Sequence, residues 1–189
     1  MKRPIVIWPD PILSRRCEEV PAVTPEVQAL LNDMVETMHA VNGIGLAAPQ
    51  VGFSLRLVVL LAKRPDSAEH VVLKLVNPKL IELPSLRGMT APSAEGCLSF
   101  PGTRAMVERL VGVRVEALDE SGAKVEIECD GQLAQCLQHE LEHLEGITLA
   151  DHVTVLKREV LRKKYTKAKK RGLRYNLESP PPQDFTQRA

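Results

Sequence analysis

Between Val111 and Cys129 the sequence alternates with period two on both sides of a turn, and this constrains the fold more than any other feature. Val111, Val113, Val115 and Ala117 alternate with Gly112, Arg114 and Glu116. Asp119-Glu120-Ser121-Gly122 follows, and then Ala123, Val125, Ile127 and Cys129 alternate with Lys124, Glu126 and Glu128. Successive strand side chains point to opposite faces, so the pattern predicts an antiparallel hairpin with one apolar and one wetted face. Leu55 to Ala62 and Val71 to Val76 are rich in β-branched residues and leucine, and predict two further strands across a loop at Lys63-Arg64-Pro65-Asp66-Ser67.

Three helices are expected around these strands. Thr24-Pro25 is a helix start, with Val27, Leu30, Leu31, Met34, Met38 and Val41 at helical spacing to about Val41. Asn42-Gly43-Ile44-Gly45 then stops it through the backbone freedom of glycine. Asp130 is placed to cap a second helix that carries Leu133, Leu137, Leu141 and Leu144 on one face and ends at Gly146. A third starts near Val153, with Val153, Leu156 and Val160 as its apolar stripe. Antiparallel strands flanked by helices, with no internal repeat, predict an α+β fold rather than a βαβ alternation. At 44% hydrophobic but 3% aromatic residues, the core is expected to be aliphatic.

The net charge of +1 conceals an asymmetry. Residues 1–156 carry 14 basic and 21 acidic residues, and residues 157–189 carry 11 and 3. Within residues 157–174, ten Lys or Arg face a single Glu159. The expected organisation is therefore one domain over 1–156, a basic C-terminal helix over 157–175 and an extended or disordered tail over 176–189, where Pro180-Pro181-Pro182 lies. Pro4, Pro9 and Pro11 interrupt the N-terminus before a signal-peptide apolar run forms, and no stretch reaches the ~18 apolar residues of a membrane span. A cytoplasmic protein is expected, with no membrane or DNA partner. Cys17, Cys97, Cys129 and Cys136 have no regular spacing, which argues against a disulfide scaffold.

The chemistry is concentrated in His139-Glu140-Leu141-Glu142-His143. Four residues advance a helix by little more than one turn, so both imidazoles share a face and can bind one ion, with Glu140 at its open side. In a chain with 5 His and 17 Glu the chance expectation for an H-E-x-x-H string is about 0.01, so coincidence is a poor account of it. A catalytic site needs a third protein ligand. His152, Glu159 and Glu178 are the downstream options. Upstream, Cys97 in Glu95-Gly96-Cys97-Leu98-Ser99 is the better candidate, against the alternative that it is a small buried hydrophobe like Cys129 and Cys136.

Three blocks, Gly43 to Gln50 (GIGLAAPQ), Glu95 to Ser99 (EGCLS) and Gln138 to Gly146 (QHELEHLEG), together resemble the signatures of the peptide deformylase family, and Pro4-Ile5-Val6 and Pro9-Asp10-Pro11 resemble its start. The resemblance runs to about Val155. It implies antiparallel sheets packed around a central metal-binding helix and a divalent ion held by Cys97, His139 and His143, Fe²⁺ in the active form with Zn²⁺ an option in purified protein. It also implies hydrolysis of the formyl group from N-formyl-methionine on new polypeptides. In that scheme Glu140 is the general base and acid, Gln50 and the Leu98 backbone N–H stabilise the oxyanion, and Ile44, Gly45, Gln135 and Gln138 meet the substrate.

The sequence also departs from the family. Glu142 replaces the usual Asp, with Arg109 or Arg104 as its expected partner. Gln132 and Gln135 stand where relatives tend to carry apolar residues lining the methionine pocket, so weaker discrimination for methionine is expected if Gln135 faces that pocket. The competing readings are an H-E-x-x-H metalloprotease, a deformylase-like paralogue of altered preference, and a non-enzymatic binding module. Because the implied substrate emerges from a ribosome, the basic segment 157–174 is either a solvated helix end or a contact to ribosomal RNA.

Overall fold

Thr24 caps the first helix, its hydroxyl accepting from the Val27 N–H at 3.5 Å, and Pro25 opens α1 (Pro25–Ala40). In this computed structural model, which describes residues 1–63 and 69–171, the other elements are β1 (Gly45–Ala47), β2 (Leu57–Lys63), β3 (His70–Glu82), β4 (Thr90–Gly96), β5 (Arg104–Leu110), β6 (Gly112–Leu118), β7 (Lys124–Asp130), α2 (Gly131–Leu144) and α3 (Val155–Lys170). The expected loop after Lys63 falls on residues 64–68 and the expected tail on 176–189, both outside the described residues, as are positions 172–175 of the basic segment.

The strands form a five-stranded antiparallel sheet in the order β1-β2-β3-β6-β7 and a separate β4-β5 pair. The α+β architecture expected from the sequence is thus the one observed. The β6–β7 hairpin pairs Val113 with Cys129, Val115 with Ile127 and Ala117 with Val125. Its turn is closed by the Asp119 carboxylate, which accepts from the N–H groups of Ser121 and Ala123.

α1 and α2 take opposite faces of the large sheet, which explains why β2 is a continuous apolar run rather than an alternation. Leu57 and Val59 join Leu30, Leu31, Met34 and Met38 of α1 in one cluster. Val58 and Leu60 join Leu75, Val113 and Val115 against Ala134, Leu137, Leu141 and Leu144 of α2 in the other. Full burial of each such leucine or valine contributes roughly 1.5–3 kcal/mol. α2 is therefore held by its leucine stripe, and its other side faces the β4–β5 pair.

Several local expectations are corrected. β3 does not stop at Val76 but runs on to Glu82, because a register shift between Val76 and Lys79 absorbs Asn77, at φ 52°, and Pro78. The helix-stopping left-handed residue after α1 is Asn42 (φ 52°), not a glycine. Asp130 occupies the N-cap position of α2, but its side chain makes no capping bond, since it is also the last residue of β7. On α3 the expected stripe holds only at its first residue: Val153, just ahead of the helix, packs against the core, whereas Leu156 and Val160 are exposed and the helix docks through Leu161 and Tyr165. Tyr165 lies edge-on to both Trp8 and Phe100, and its hydroxyl meets Thr103 Oγ1 (2.6 Å) and donates to the Pro101 carbonyl (3.0 Å). Among the described residues no helix is long and apolar enough to cross a membrane.

Candidate active site

α2 carries His139 and His143 one turn apart, with ring centroids separated by 5.1 Å. Cys97 directly follows β4, in a loop held by the Phe100 N–H to the Cys97 carbonyl (2.9 Å) and the Trp8 N–H to the Ser99 carbonyl (3.1 Å). The loop brings Cys97 Sγ to 3.2 Å from His143 Nε2, and one donor atom from each of Cys97, His139 and His143 lies within 4.8 Å of the others. His152, a downstream alternative for the third ligand, is instead bound to Glu142 (2.8 Å), and Glu159 pairs with Arg162 on α3.

Behind the three donors runs a chain of ion pairs. Glu95 Oε2 sits 2.9 Å from His139 Nδ1, which leaves Nε2 of that ring for the donor cluster. Arg109 grips Glu95 with two bonds, Nε to Oε1 (2.7 Å) and Nη2 to Oε2 (2.8 Å), and reaches Glu142 Oε1 with Nη1 at 2.6 Å. Of the two partners expected for Glu142, the structure selects Arg109; Arg104 donates to the Ala94 carbonyl. Burial alone would raise the Glu95 carboxyl, but Arg109 and then His139 outweigh it and hold it at about 2. Burial opposes charge on both imidazoles. It prevails at His143, helped by the His139 and Arg109 charges, and is outweighed at His139 by Cys97 and Glu95.

Glu140 is buried in this cleft, and its Oε2 has no hydrogen-bond partner among the described residues. Burial pushes its carboxyl up to about 7, with the Glu95 charge adding to the rise and those of His139 and Arg109 opposing it. Gly45 makes room for it: a Cβ there would stand 2.5 Å from Glu140 Oε1 and 2.7 Å from Cys136 Sγ. Gly45 is thus required for close approach rather than for backbone conformation. Gln50 is oriented by its own backbone neighbourhood. Its Oε1 accepts the Ala47 N–H (2.8 Å), so its Nε2 is the group turned to Cys97 Sγ, 3.5 Å away.

Of the residues singled out in the sequence, Ile44, Gly45, Gln50, Cys97, Leu98, Gln132, Gln135, His139 and Glu140 line one cleft, with His143 immediately behind Cys97. The structure does not bring Gln138 to it. That amide accepts from the Leu110 N–H (2.9 Å) and donates to the Leu110 carbonyl (3.0 Å), and so clamps the end of β5 to α2. Sequence reasoning missed the part Glu95 plays beside His139 and the presence of Ser93 in the cleft. The available signal was their period-two spacing ahead of Cys97.

A soft cysteine sulfur and two imidazoles, shielded from solvent, with one ring already oriented by a carboxylate and an unpartnered Glu140 oxygen alongside, suit a single metal ion with an open position. Comparison with known proteins agrees with this geometry. The polypeptide deformylase family profile matches residues 2–159. The peptide deformylase of Thermodesulfovibrio yellowstonii is 42% identical over 158 residues, 84% of this chain and 93% of that protein. That of Mesorhizobium japonicum is 42% identical over 170 residues, 89% and 93% of the two chains. Among solved structures, peptide deformylase from Ehrlichia chaffeensis superposes with a TM-score of 0.80 at 33% identity, covering 89% of this chain and 97% of that one. The enzyme from Legionella pneumophila gives 0.78 at 39% identity, covering 91% and 98%.

Proposed function

The chain belongs to the polypeptide deformylase family, a family of metal-dependent enzymes, and on that footing we propose that it removes the formyl group from N-formyl-methionine at the start of newly made polypeptides, releasing formate. The observation that carries this reading is the convergence of Cys97, His139 and His143 with buried Glu140 and the Gln50 amide nitrogen around one cleft. A divalent ion held by Cys97 Sγ and the two imidazoles, Fe²⁺ in our reading, supplies Lewis acidity that polarises the formyl carbonyl and makes a water acidic enough to react near neutral pH.

The chain's own groups do the rest. Glu140 takes a proton from the attacking water through its unpartnered oxygen and delivers it to the nitrogen as the C–N bond breaks, so the products are formate and a free amine. Gln50 Nε2 and the Leu98 backbone N–H donate to the oxygen that becomes negative, each such donor stabilising the transition state by about 3 kcal/mol. Glu95 holds His139 in the tautomer that turns Nε2 to the cluster. Gln50 needs no reorganisation, because Ala47 already fixes its amide.

In the same reading the enzyme works in the cytoplasm, and the exposed cations of α3, Lys157, Lys163, Lys167 and Lys170, meet RNA phosphates where the nascent chain emerges. The function is tested by measuring formate released from a formyl-Met tripeptide by anaerobically prepared protein, with Glu140→Gln as control. Stoichiometric formate and amine, lost by at least 100-fold in the variant, is the expected result. Cleavage of an internal peptide bond without formate would replace it with the protease reading.

A further inference from the structure

Two rungs connect β4 to α2, and only one of them serves the metal donors. Glu95 meets His139, and two residues earlier on the same strand face Ser93 meets Gln135, four residues earlier on the same helix face. The Ser93 hydroxyl donates to Gln135 Oε1 at 3.2 Å. Residues four apart on a helix are about 5–6 Å apart at Cβ, so the second rung lies one turn along the cleft from the reacting centre. Gln132, a further turn along, and Arg104 line the same stretch.

At Gln135 this stretch offers a hydrogen-bond donor. Ser93 is buried and occupies the Gln135 carbonyl oxygen, so what Gln135 has left for the cleft it lines is its amide nitrogen with two N–H groups. Ile44 and Cys136 supply apolar wall between that nitrogen and Glu140. The Cα of a formylated residue is two bonds from the formyl carbon. A side chain of three or four heavy atoms leaving that Cα is long enough to span about one helical turn, the separation of Gln135 from His139 along α2.

We propose that the Ser93–Gln135 rung is a specificity subsite that takes a side-chain oxygen acceptor of glutamine or methionine-sulfoxide length on the formylated residue. The proposal rests on the deformylase reading and deepens it. A thioether sulfur accepts hydrogen bonds weakly and leaves the Gln135 donors unpaired in a partly buried site, whereas an amide or sulfoxide oxygen satisfies them. Sites built to hydrogen-bond a substrate group discriminate against analogues that lack it, so methionine loses the advantage that an apolar pocket would give it.

The test is kcat/KM of the metal-loaded enzyme on synthetic formyl-Xaa-Ala-Ser peptides with Xaa as methionine, norleucine, glutamine or methionine sulfoxide, repeated for Gln135→Leu. The expected result is that formyl-Gln and formyl-methionine sulfoxide react within about threefold of formyl-Met in the native chain, and that Gln135→Leu lowers their ratio to formyl-Met about tenfold. Both substrates are measured on one preparation, so the ratio is insensitive to partial loss of folded protein. Native discrimination of 100-fold or more against formyl-Gln, or an unchanged ratio in the variant, overturns the proposal while leaving deformylation intact. Formate from none of the peptides overturns the deformylase reading with it.

Discussion

Gly45 shows how one absent atom leaves room for the Glu140 carboxylate. A Cβ at this position falls 2.5 Å from Glu140 Oε1 and 2.7 Å from Cys136 Sγ, so Gly45→Ala must push the carboxylate or tilt the helix. Overpacking of this kind costs about 1–3 kcal/mol of stability, and displacing a catalytic group by ~1 Å costs on the order of 100-fold in rate. The expected outcome is a kcat reduced at least 100-fold with a Tm lowered by only a few degrees, read from formate release and thermal unfolding; a kcat within threefold of the parent would refute the packing argument. At this scale the sequence was most informative about donor atoms. His139 and His143 follow from helical periodicity, and Cys97 stands out from His152, Glu159 and Glu178 by its place in a glycine-containing segment just ahead of the hairpin. Glu95 and Arg109 were harder to read, because a buried salt bridge leaves no apolar periodicity: Arg109 takes the buried position that follows Ala105 and Val107 on β5, where alternation predicts another hydrophobe.

Among elements, the β4–β5 pair matters most and was least visible. β4 reads Thr-Ala-Pro-Ser-Ala-Glu-Gly, with a proline and no β-branched residue after Thr90, so its composition does not signal a strand; it pairs with β5 in register from Thr90–Leu110 to Gly96–Arg104. The pair is tied to α2 by Glu95, Arg109 and Glu142, which gives that tie a pH signature. The Glu95 carboxyl is held at about 2 in the folded chain against an ordinary value near 4.5. A depressed carboxylate contributes stability that is present above its unfolded value and disappears as the pH falls through its folded one, here between about 4.5 and 2. Denaturant unfolding of metal-free protein at pH 6, 4 and 3 should therefore show a steeper loss in the parent than in Glu95→Gln. Parallel pH profiles would mean that the Arg109–Glu95–His139 chain does not couple to folding. β6, β7 and the body of α1 were legible because each alternates or repeats cleanly against one core. β3 was not, because its continuation past Asn77-Pro78 depends on a bulge that only the partner strand β6 explains.

For the molecule as a whole, the charge split has a structural counterpart in α3, whose basic residues face solvent while Leu161 and Tyr165 hold it to the body. This changes how RNA contact should be tested. Cutting the chain after Leu161 also removes Tyr165 from the Trp8–Phe100–Tyr165 cluster that buttresses the Cys97 loop, so truncation is expected to impair small-peptide turnover as well. Replacing Lys157, Lys163, Lys167 and Lys170 by Glu should instead spare turnover of a formyl tripeptide within twofold and weaken co-sedimentation with ribosomes, and raising salt should weaken it in the parent and narrow the difference between the two. Unchanged co-sedimentation would make α3 an ordinary solvated helix. Whether one ion on Cys97, His139 and His143 supports deformylation is decided by anaerobic titration of chelator-stripped protein with Fe²⁺, following bound metal and formate release together. Activity should rise linearly and saturate at one equivalent, and Cys97→Ala should neither retain the ion nor release formate. Full activity in stripped protein or in Cys97→Ala would contradict that role of the ion.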